Sequence, residues 1–144
     1  MIEPVLLDTG PLVACLSRRD AGHQCCLKQL RRLKKPPVTC WPVLTEAVWL
    51  LCTIPQAVQT LFTMVNAREI RIASFGEEAS DYLASFLERY HSLHTDLADA
   101  ALVFLAEREA IDTVFTLDRK DFSIYRLTNG KALQIIPEGA TLVG

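Results

Sequence analysis

The sequence predicts an α/β fold in which helices cover both faces of a central parallel sheet, giving three layers. Short apolar runs, such as residues 4–7 and 38–40, do not alternate with polar residues. Longer segments with the apolar spacing of helices separate these runs. Strands without alternation are buried on both faces and need helical crossovers, which is typical of a parallel α/β sandwich.

Composition favours one domain over residues 1–144. Half of the residues are apolar, 22% are charged and the formal net charge is −2, which excludes a disordered chain and a binder that works by bulk positive charge. The longest apolar run, residues 100–106, is too short to cross a bilayer. The first residues lack the pattern of a secretory signal, so we expect a cytoplasmic protein.

Prolines and one acidic residue place the elements of the first half. Pro11, Pro42 and Pro55 stand where a first helical turn tolerates proline. Asp20 is a suitable N-cap, and Pro36 ends the helix that Asp20 opens. The predicted elements are a strand at 4–7, helices at 12–16 and 20–35, a strand at 38–40, and helices at 42–52 and 55–67.

Apolar periodicity places the elements of the second half. Residues 77–90 have an amphipathic helical pattern, whereas residues 96–110 are strongly apolar over the length of a helix. The predicted elements are a strand at 70–73, helices at 77–90 and 96–110, and strands at 113–116 and 133–136.

Cysteine and histidine give no zinc signature. The cysteines are odd in number and have no C-x-x-C spacing, so we interpret them as reduced thiols in or near the core. The histidines stand away from the acidic residues, and His91 and His94 fit a solvated helix end. The residues concerned are Cys15, Cys25, Cys26, Cys40, Cys52, His23, His91 and His94.

Two acidic residues follow apolar strands. Asp8 ends the run at 4–7, Asp118 follows residues 114–117, and Asp121 lies three residues further on. The carboxyl ends of strands in a parallel sheet form the crevice where ligands bind. We therefore expect two strand ends to present acids to that crevice.

Further acids lie on predicted helices. Glu46 is the only charge in the helix at 42–52, so we expect that helix to be largely buried. Asp96 and Asp99 open another helix as neighbours on its first turn. For Asp96 and Asp121 a capping or turn role is the alternative. Converging carboxylates repel one another, so the set calls for protons or for one or two Mg²⁺ or Mn²⁺ ions, which prefer oxygen ligands.

Four segments carry a resemblance to a known family, at residues 7–14, 44–47, 96–100 and 116–122. Together, and in this order, they resemble the PIN-domain nucleases, in particular the toxin ribonucleases of VapC type, over essentially the whole chain. The resemblance implies a Mg²⁺- or Mn²⁺-dependent endoribonuclease with RNA as its substrate, a small antitoxin as its partner and a homodimeric assembly.

The resemblance also implies roles for individual residues. Asp8 and Asp99 match the direct metal ligands best. Thr9 and Thr116 match the family's hydroxyls beside the acids, and stabilising a turn is their alternative role. The expected catalytic and metal-binding quartet is Asp8, Glu46, Asp99 and Asp118, with Asp96 and Asp121 in reserve.

An acidic pocket repels RNA, so basic residues nearby must hold the backbone. A solvated helix face is the alternative interpretation of these residues. Trp41 and Trp49 lie in an apolar stretch, and we expect them to pack in the core rather than stack on bases. The candidates for contact with the RNA backbone are Arg18, Arg19, Lys28, Arg31, Arg32, Arg119 and Lys120.

The hypothesis from these observations is metal-assisted attack of water on an RNA phosphodiester, leaving 5′-phosphate and 3′-hydroxyl ends. Two alternatives stay open. A PIN-like module that binds RNA or protein without cleaving is disfavoured because all four quartet positions are acidic. A metal-dependent phosphatase acting on a small phosphoester needs the same site, and tests with single nucleotides separate it from a ribonuclease.

Overall fold

A five-stranded parallel sheet forms the centre of the computed structural model, which describes residues 4–139. Leu6 pairs with Val38 on one side and with Val114 on the other, so the first strand lies in the middle of the sheet. The strand order is β3-β2-β1-β4-β5. The strands are β1 (Leu6–Leu7), β2 (Val38–Thr39), β3 (Arg71–Ile72), β4 (Thr113–Phe115) and β5 (Gln134–Ile136).

Helices connect the strands and cover the sheet. The chain runs outward from β1 to β3 and then returns across the sheet to β4. Because such crossovers are right-handed, the two directions place helices on opposite faces, as the three-layer prediction requires. The helices are α1 (Thr9–Leu16), α2 (His23–Arg32), α3 (Trp41–Leu51), α4 (Ala57–Asn66), α5 (Ser80–Arg89), α6 (Leu97–Glu109) and α7 (Arg119–Phe122).

Capping explains where the helices depart from the predicted bounds. Helix α1 begins at Thr9 rather than after Pro11, because the Asp8 carboxylate accepts a hydrogen bond from the Thr9 amide. Proline is tolerated at the third position because the first four amides of a helix need no partner within it. Asp20 does not cap α2. Its side chain accepts a hydrogen bond from the Gly22 amide, and the helix starts at His23, one residue after Gly22.

Two other elements differ from the prediction. The helix predicted at 77–90 is divided into a 3₁₀ turn at Glu77–Ala79 and the helix α5. The short helix α7 was not predicted, and it exists because the Asp118 side chain accepts a hydrogen bond from the Asp121 amide. This cap also brings Asp118 and Asp121 together on one turn.

Helix α3 is not largely buried, so that prediction is wrong. Its buried side is formed by Val43, Leu44, Ala47 and Leu51. The two tryptophans, expected in the core, lie on the opposite side with 52% of Trp41 and 77% of Trp49 exposed. An unbroken apolar run does not show which face of a helix packs, and here the largest side chains face solvent.

The cysteines follow the predicted environment except at one position. Cys15, Cys26 and Cys40 are buried and Cys25 is partly buried, whereas Cys52 is exposed. Burial raises the pKa of Cys15 to about 12 and that of Cys40 to about 11, so these thiols stay protonated and unreactive. None of the helices in the described part of the chain is long and apolar enough to cross a membrane.

Candidate metal centre

The predicted acids meet where the strand order reverses, between β1 and β4. The chain leaves β1 toward one edge of the sheet and later returns to β4 on the other side of β1. The Asp8 amide donates to the Phe115 carbonyl over 3.0 Å, and the Thr116 amide donates to the Ile136 carbonyl over 3.0 Å. These bonds extend the sheet to the residues that carry the site, at the place where open α/β sheets bind ligands.

Asp8 is held on both of its carboxylate oxygens. Oδ1 accepts from the Thr9 amide over 2.8 Å, and Oδ2 accepts from the Thr116 hydroxyl over 2.7 Å. Only 7% of Asp8 is exposed. Burial raises the pKa of this carboxyl group, although the hydrogen bonds from Thr116 and Thr9 oppose the rise.

Thr116 links the two strand ends through its hydroxyl. It donates to Asp8 and also accepts from the Asp118 amide over 3.0 Å. A hydroxyl has one proton to give and lone pairs to receive, so both bonds form together. The residue is fully buried, and its hydroxyl therefore fixes the carboxylate after β1 relative to the loop after β4.

Glu46 faces the same crevice from α3. The Thr9 hydroxyl donates to Glu46 Oε1 over 2.8 Å. Burial raises the pKa of Glu46, and the neighbouring carboxyl groups of Asp96 and Asp8 raise it further. Thr9 and Thr116, the two predicted hydroxyls, thus each bond to an acid of the predicted quartet.

Asp99 receives its hydrogen bond from a residue that the sequence did not indicate. The Tyr125 hydroxyl donates to Asp99 Oδ2 over 2.7 Å. Burial, together with the charge of Asp8, raises the pKa of Asp99 to about 8. Asp96 caps α6, as the alternative role proposed for it requires, by accepting from the Asp99 amide over 3.0 Å.

The most closely spaced acidic group includes Asp121, which the resemblance gave only as a possible extra ligand. One carboxylate oxygen from each of Asp99, Asp118 and Asp121 lies within 4.8 Å of the other two. Burial and the adjacent Asp118 raise the pKa of Asp121. Asp8 lies outside this trio but close enough for its charge to act on Asp99.

The electrostatics of the group fit a hard divalent cation. Within residues 4–139, none of the six acids forms an ion pair; the pairs that Arg108 makes lie elsewhere, with Glu78 and Glu109. Carboxylates that are crowded, partly desolvated and without a cationic side chain hold protons or bind a metal. The donor set consists of oxygen atoms, which Mg²⁺ and Mn²⁺ prefer, and contains no thiolate or imidazole that would favour zinc.

The basic candidates fall into three separate places. A groove of about 980 Å³ between α2 and the residues after β5 is lined by Lys28, Arg31 and Arg32. Arg119 lies at its edge, where the guanidinium Nη1 donates to the Pro137 carbonyl over 2.9 Å. The remaining candidates do not line this groove: Arg18 and Arg19 line a depression between α1 and α4, and Lys120 is exposed on α7.

Sequence reasoning missed Tyr125 and its neighbour Thr95. Tyr125 follows α7 in a stretch without helical or strand periodicity, and Thr95 precedes the cap of α6. Neither residue belongs to a charged or repeated pattern. The proximity of Tyr125 to Asp121 along the chain was the one available signal, and it is weak.

No protein-family model matches the chain, but individual proteins do. Ribonuclease VapC26 of Mycobacterium tuberculosis is 26% identical over 138 residues, which cover 92% of this chain and all of that protein. The crystal structure of M. tuberculosis VapC20, described as a Sarcin-Ricin loop cleaving toxin, has a TM-score of 0.73 at 17% identity and covers 81% of this chain and 91% of that one.

A second solved structure covers more of the chain. VapBC2 from Rickettsia felis, bound to a DNA fragment from its promoter, gives a TM-score of 0.62 at 17% identity over 94% of this chain and 97% of that one. At such identity the structural likeness establishes the fold, an α/β/α sandwich. Likeness in sequence and in fold thus confirms the resemblance of this chain to the PIN-domain ribonucleases of VapC type.

Proposed function

We propose that this chain is a metal-dependent endoribonuclease that hydrolyses RNA phosphodiester bonds as the toxin of a toxin–antitoxin pair. The observation that carries the proposal is the convergence of six carboxylates at the switch point of the sheet, none of which forms an ion pair within residues 4–139. The names of the relatives, a ribonuclease and a Sarcin-Ricin loop cleaving toxin, support RNA as the substrate class.

The residues that would hold the metal are the trio of Asp99, Asp118 and Asp121, with Asp8 and Glu46 beside them. A bound Mg²⁺ or Mn²⁺ supplies positive charge that lowers the pKa of an attacking water and stabilises the oxygen that leaves. The protein's own part is to orient the carboxylates and to oppose the rise that burial causes in their pKa. Thr116 and Thr9 do this by donating to Asp8 and Glu46.

The groove beside α2 is the proposed path of the RNA backbone. Lys28, Arg31 and Arg32 present exposed cationic groups along it. Arg119 connects the groove to the acids, because it follows Asp118 and bonds to the Pro137 carbonyl at the groove's edge. Cationic side chains that contact phosphates position RNA without reading its sequence.

The same proposal includes a small antitoxin and a homodimer. The likeness of this chain to the R. felis VapBC2 structure supports the antitoxin. For the homodimer, the supporting observation is the outer side of α3, where Trp41, Trp49 and Leu50 are all more than half exposed. Exposed aromatic side chains are enriched in the cores of protein–protein interfaces.

Cleavage of RNA by purified protein tests this function. A labelled total-RNA pool is incubated with Mg²⁺ or Mn²⁺, with EDTA, and with the Asp8→Asn variant. Asp81→Asn is the matched control, because Asp81 is an exposed acid on α5, away from the site. We expect metal-dependent cuts with 5′-phosphate ends from the native protein and from the control only.

Single nucleotides serve as the second substrate in the same experiment. Release of phosphate from them without cleavage of RNA would replace the ribonuclease by a phosphatase. Absence of cleavage of either substrate by protein that binds Mn²⁺ would overturn the proposed activity.

A further inference from the structure

Tyr125 is anchored in an aromatic cluster directly behind the acids. Only 1% of the residue is exposed. Its ring lies 5.0 Å from those of Phe86 and Tyr90 and 5.1 Å from that of Phe122, measured between centroids. Edge-on and tilted packing of this kind restricts the ring, so the position of the phenolic oxygen is fixed by the core.

The Tyr125 hydroxyl stands in a chain of hydrogen bonds that ends on Asp99. It donates to Asp99 Oδ2 over 2.7 Å and lies 3.0 Å from the Thr95 hydroxyl. Asp99 must be ionised to bind a cation; in that form its carboxylate only accepts, and a phenol has a single proton to give. The proton of Tyr125 therefore points to Asp99. The Thr95 hydroxyl has two acceptors in reach, the phenolic oxygen at 3.0 Å and the Tyr90 carbonyl at 3.4 Å, and it donates to the nearer, phenolic oxygen.

Tyr125 completes a pattern of neutral donors among the acids. The Thr116 hydroxyl donates to Asp8, the Thr9 hydroxyl donates to Glu46, and Tyr125 donates to Asp99. A neutral donor holds a carboxylate oxygen without cancelling its charge; at Asp99, where Tyr125 holds Oδ2, this leaves Oδ1 for a cation.

We propose that Tyr125 is a positioning residue that orients Asp99 for a divalent cation, through the hydrogen bond from its hydroxyl to Asp99 Oδ2 and with support from Thr95. This inference rests on the metal-dependent function proposed above. Tyr125 differs from the two threonines because it reaches the site from the packed core and not from the end of a strand. The rings that pack around Tyr125 therefore determine where its hydroxyl meets Asp99.

The test compares Tyr125→Phe with Tyr90→Phe. Each variant removes one buried hydroxyl from the same cluster without changing the ring. The Tyr90 hydroxyl accepts from the Arg126 amide over 2.9 Å and makes no hydrogen bond to an acid of the site, so its loss affects stability alone. Mn²⁺ affinity is measured by isothermal titration calorimetry and by the electron paramagnetic resonance signal of free Mn²⁺, together with thermal unfolding in EDTA.

We expect Tyr125→Phe to weaken Mn²⁺ binding by about 10- to 100-fold, the usual cost of losing a hydrogen bond behind a metal ligand. Tyr90→Phe should bind Mn²⁺ as the native protein does. Thr95→Val, which removes the donor to the phenolic oxygen, should weaken binding by a smaller factor. Should Tyr125→Phe fail to fold, the weakening in Thr95→Val carries the test.

Three results would overturn the inference in distinguishable ways. Equal Mn²⁺ affinity for the native protein, Tyr125→Phe and Thr95→Val would show that the hydroxyl has a structural role only, while the metal site itself stands. Equal weakening in Tyr125→Phe and Tyr90→Phe would assign the effect to a general loss of stability in the aromatic cluster. Native protein that binds no Mn²⁺ at millimolar concentration would overturn both this inference and the metal-dependent function.

Discussion

Because the pKa of Asp99 is raised, the stability of the metal-free protein should depend on pH, and this can be tested without RNA. In the folded protein this carboxyl group keeps its proton up to a pKa of about 8, compared with an ordinary value of 3.8. The folded state therefore binds more protons than the unfolded chain between these values. The stability that the protonated group contributes is present in full below about pH 4 and is lost as the pH rises through about 8.

The size of the effect follows from the shift. A change of one pKa unit corresponds to about 1.4 kcal/mol, so the shift of about four units sets an upper bound of about 6 kcal/mol. Asp99 is partly exposed, and relaxation and water reduce that figure. We therefore expect Asp99→Asn to stabilise the protein in EDTA at pH 8 by at least about 2 kcal/mol, or about 5 °C in Tm.

Thermal unfolding at pH 5, 6, 7 and 8, with EDTA and with Mn²⁺, measures this directly. The native protein in EDTA should lose stability steadily across the series, and Asp99→Asn should show a smaller slope. Mn²⁺ should stabilise the native protein most at pH 8 and should have little effect on the variant. Asp81→Asn, an exposed acid on α5, is the control.

Two results would refute this reasoning. If Asp99→Asn melted at or below the native temperature at pH 8 in EDTA, repulsion and burial would not be destabilising this carboxylate. If native protein and variant had the same slope with pH, the proton would reside on another group.

Four further predictions follow from the same structure. Mn²⁺ must displace the proton of Asp99, so the affinity of the protein for Mn²⁺ should increase by up to about tenfold per pH unit between pH 6 and 8. A calorimetric titration that detects no proton release would contradict this. Thr116→Val leaves Oδ2 of the buried Asp8 without its donor, which should lower the free energy of unfolding in urea by about 1–3 kcal/mol. An unchanged midpoint of unfolding would exclude that role. The double variant Lys28→Glu, Arg31→Glu should weaken RNA binding and reduce the slope of log affinity against log salt concentration by the amount expected for about two phosphate contacts. Arg19→Glu, which lies outside that groove, should change neither the affinity nor the slope. Trp49→Ser should weaken dimerisation by at least about tenfold in analytical ultracentrifugation, and an unchanged oligomeric state would rule out the outer side of α3 as the interface.

The parts of the site that sequence could predict are those with a local signal. Asp8 and Asp118 stand out because a charge directly after a buried strand belongs at the carboxyl edge of the sheet. Asp96 and Asp99 stand out because helix caps and first turns have characteristic residues. Thr9 and Thr116 have no such signal and were predicted from the family resemblance alone; the structure places each against an acid.

The parts that sequence could not predict depend on tertiary packing. Tyr125 reaches Asp99 because aromatic rings assemble around it, and their residues are spread over two helices and two loops. Trp41 and Trp49 were misassigned because an apolar run on a helix does not say which side meets the sheet. Helix α7 depends on the Asp118 cap, which also draws Asp121 into the tightest acidic group.

The central claim is that the acids at the switch point bind a divalent cation, and diffraction from crystals grown with Mn²⁺ tests it most directly. Manganese scatters anomalously, so the ion can be located independently of the protein. We expect an anomalous peak within bonding distance of carboxylate oxygens of the trio Asp99, Asp118 and Asp121. A peak only at other residues, or none at millimolar Mn²⁺ in well-ordered crystals, would contradict it.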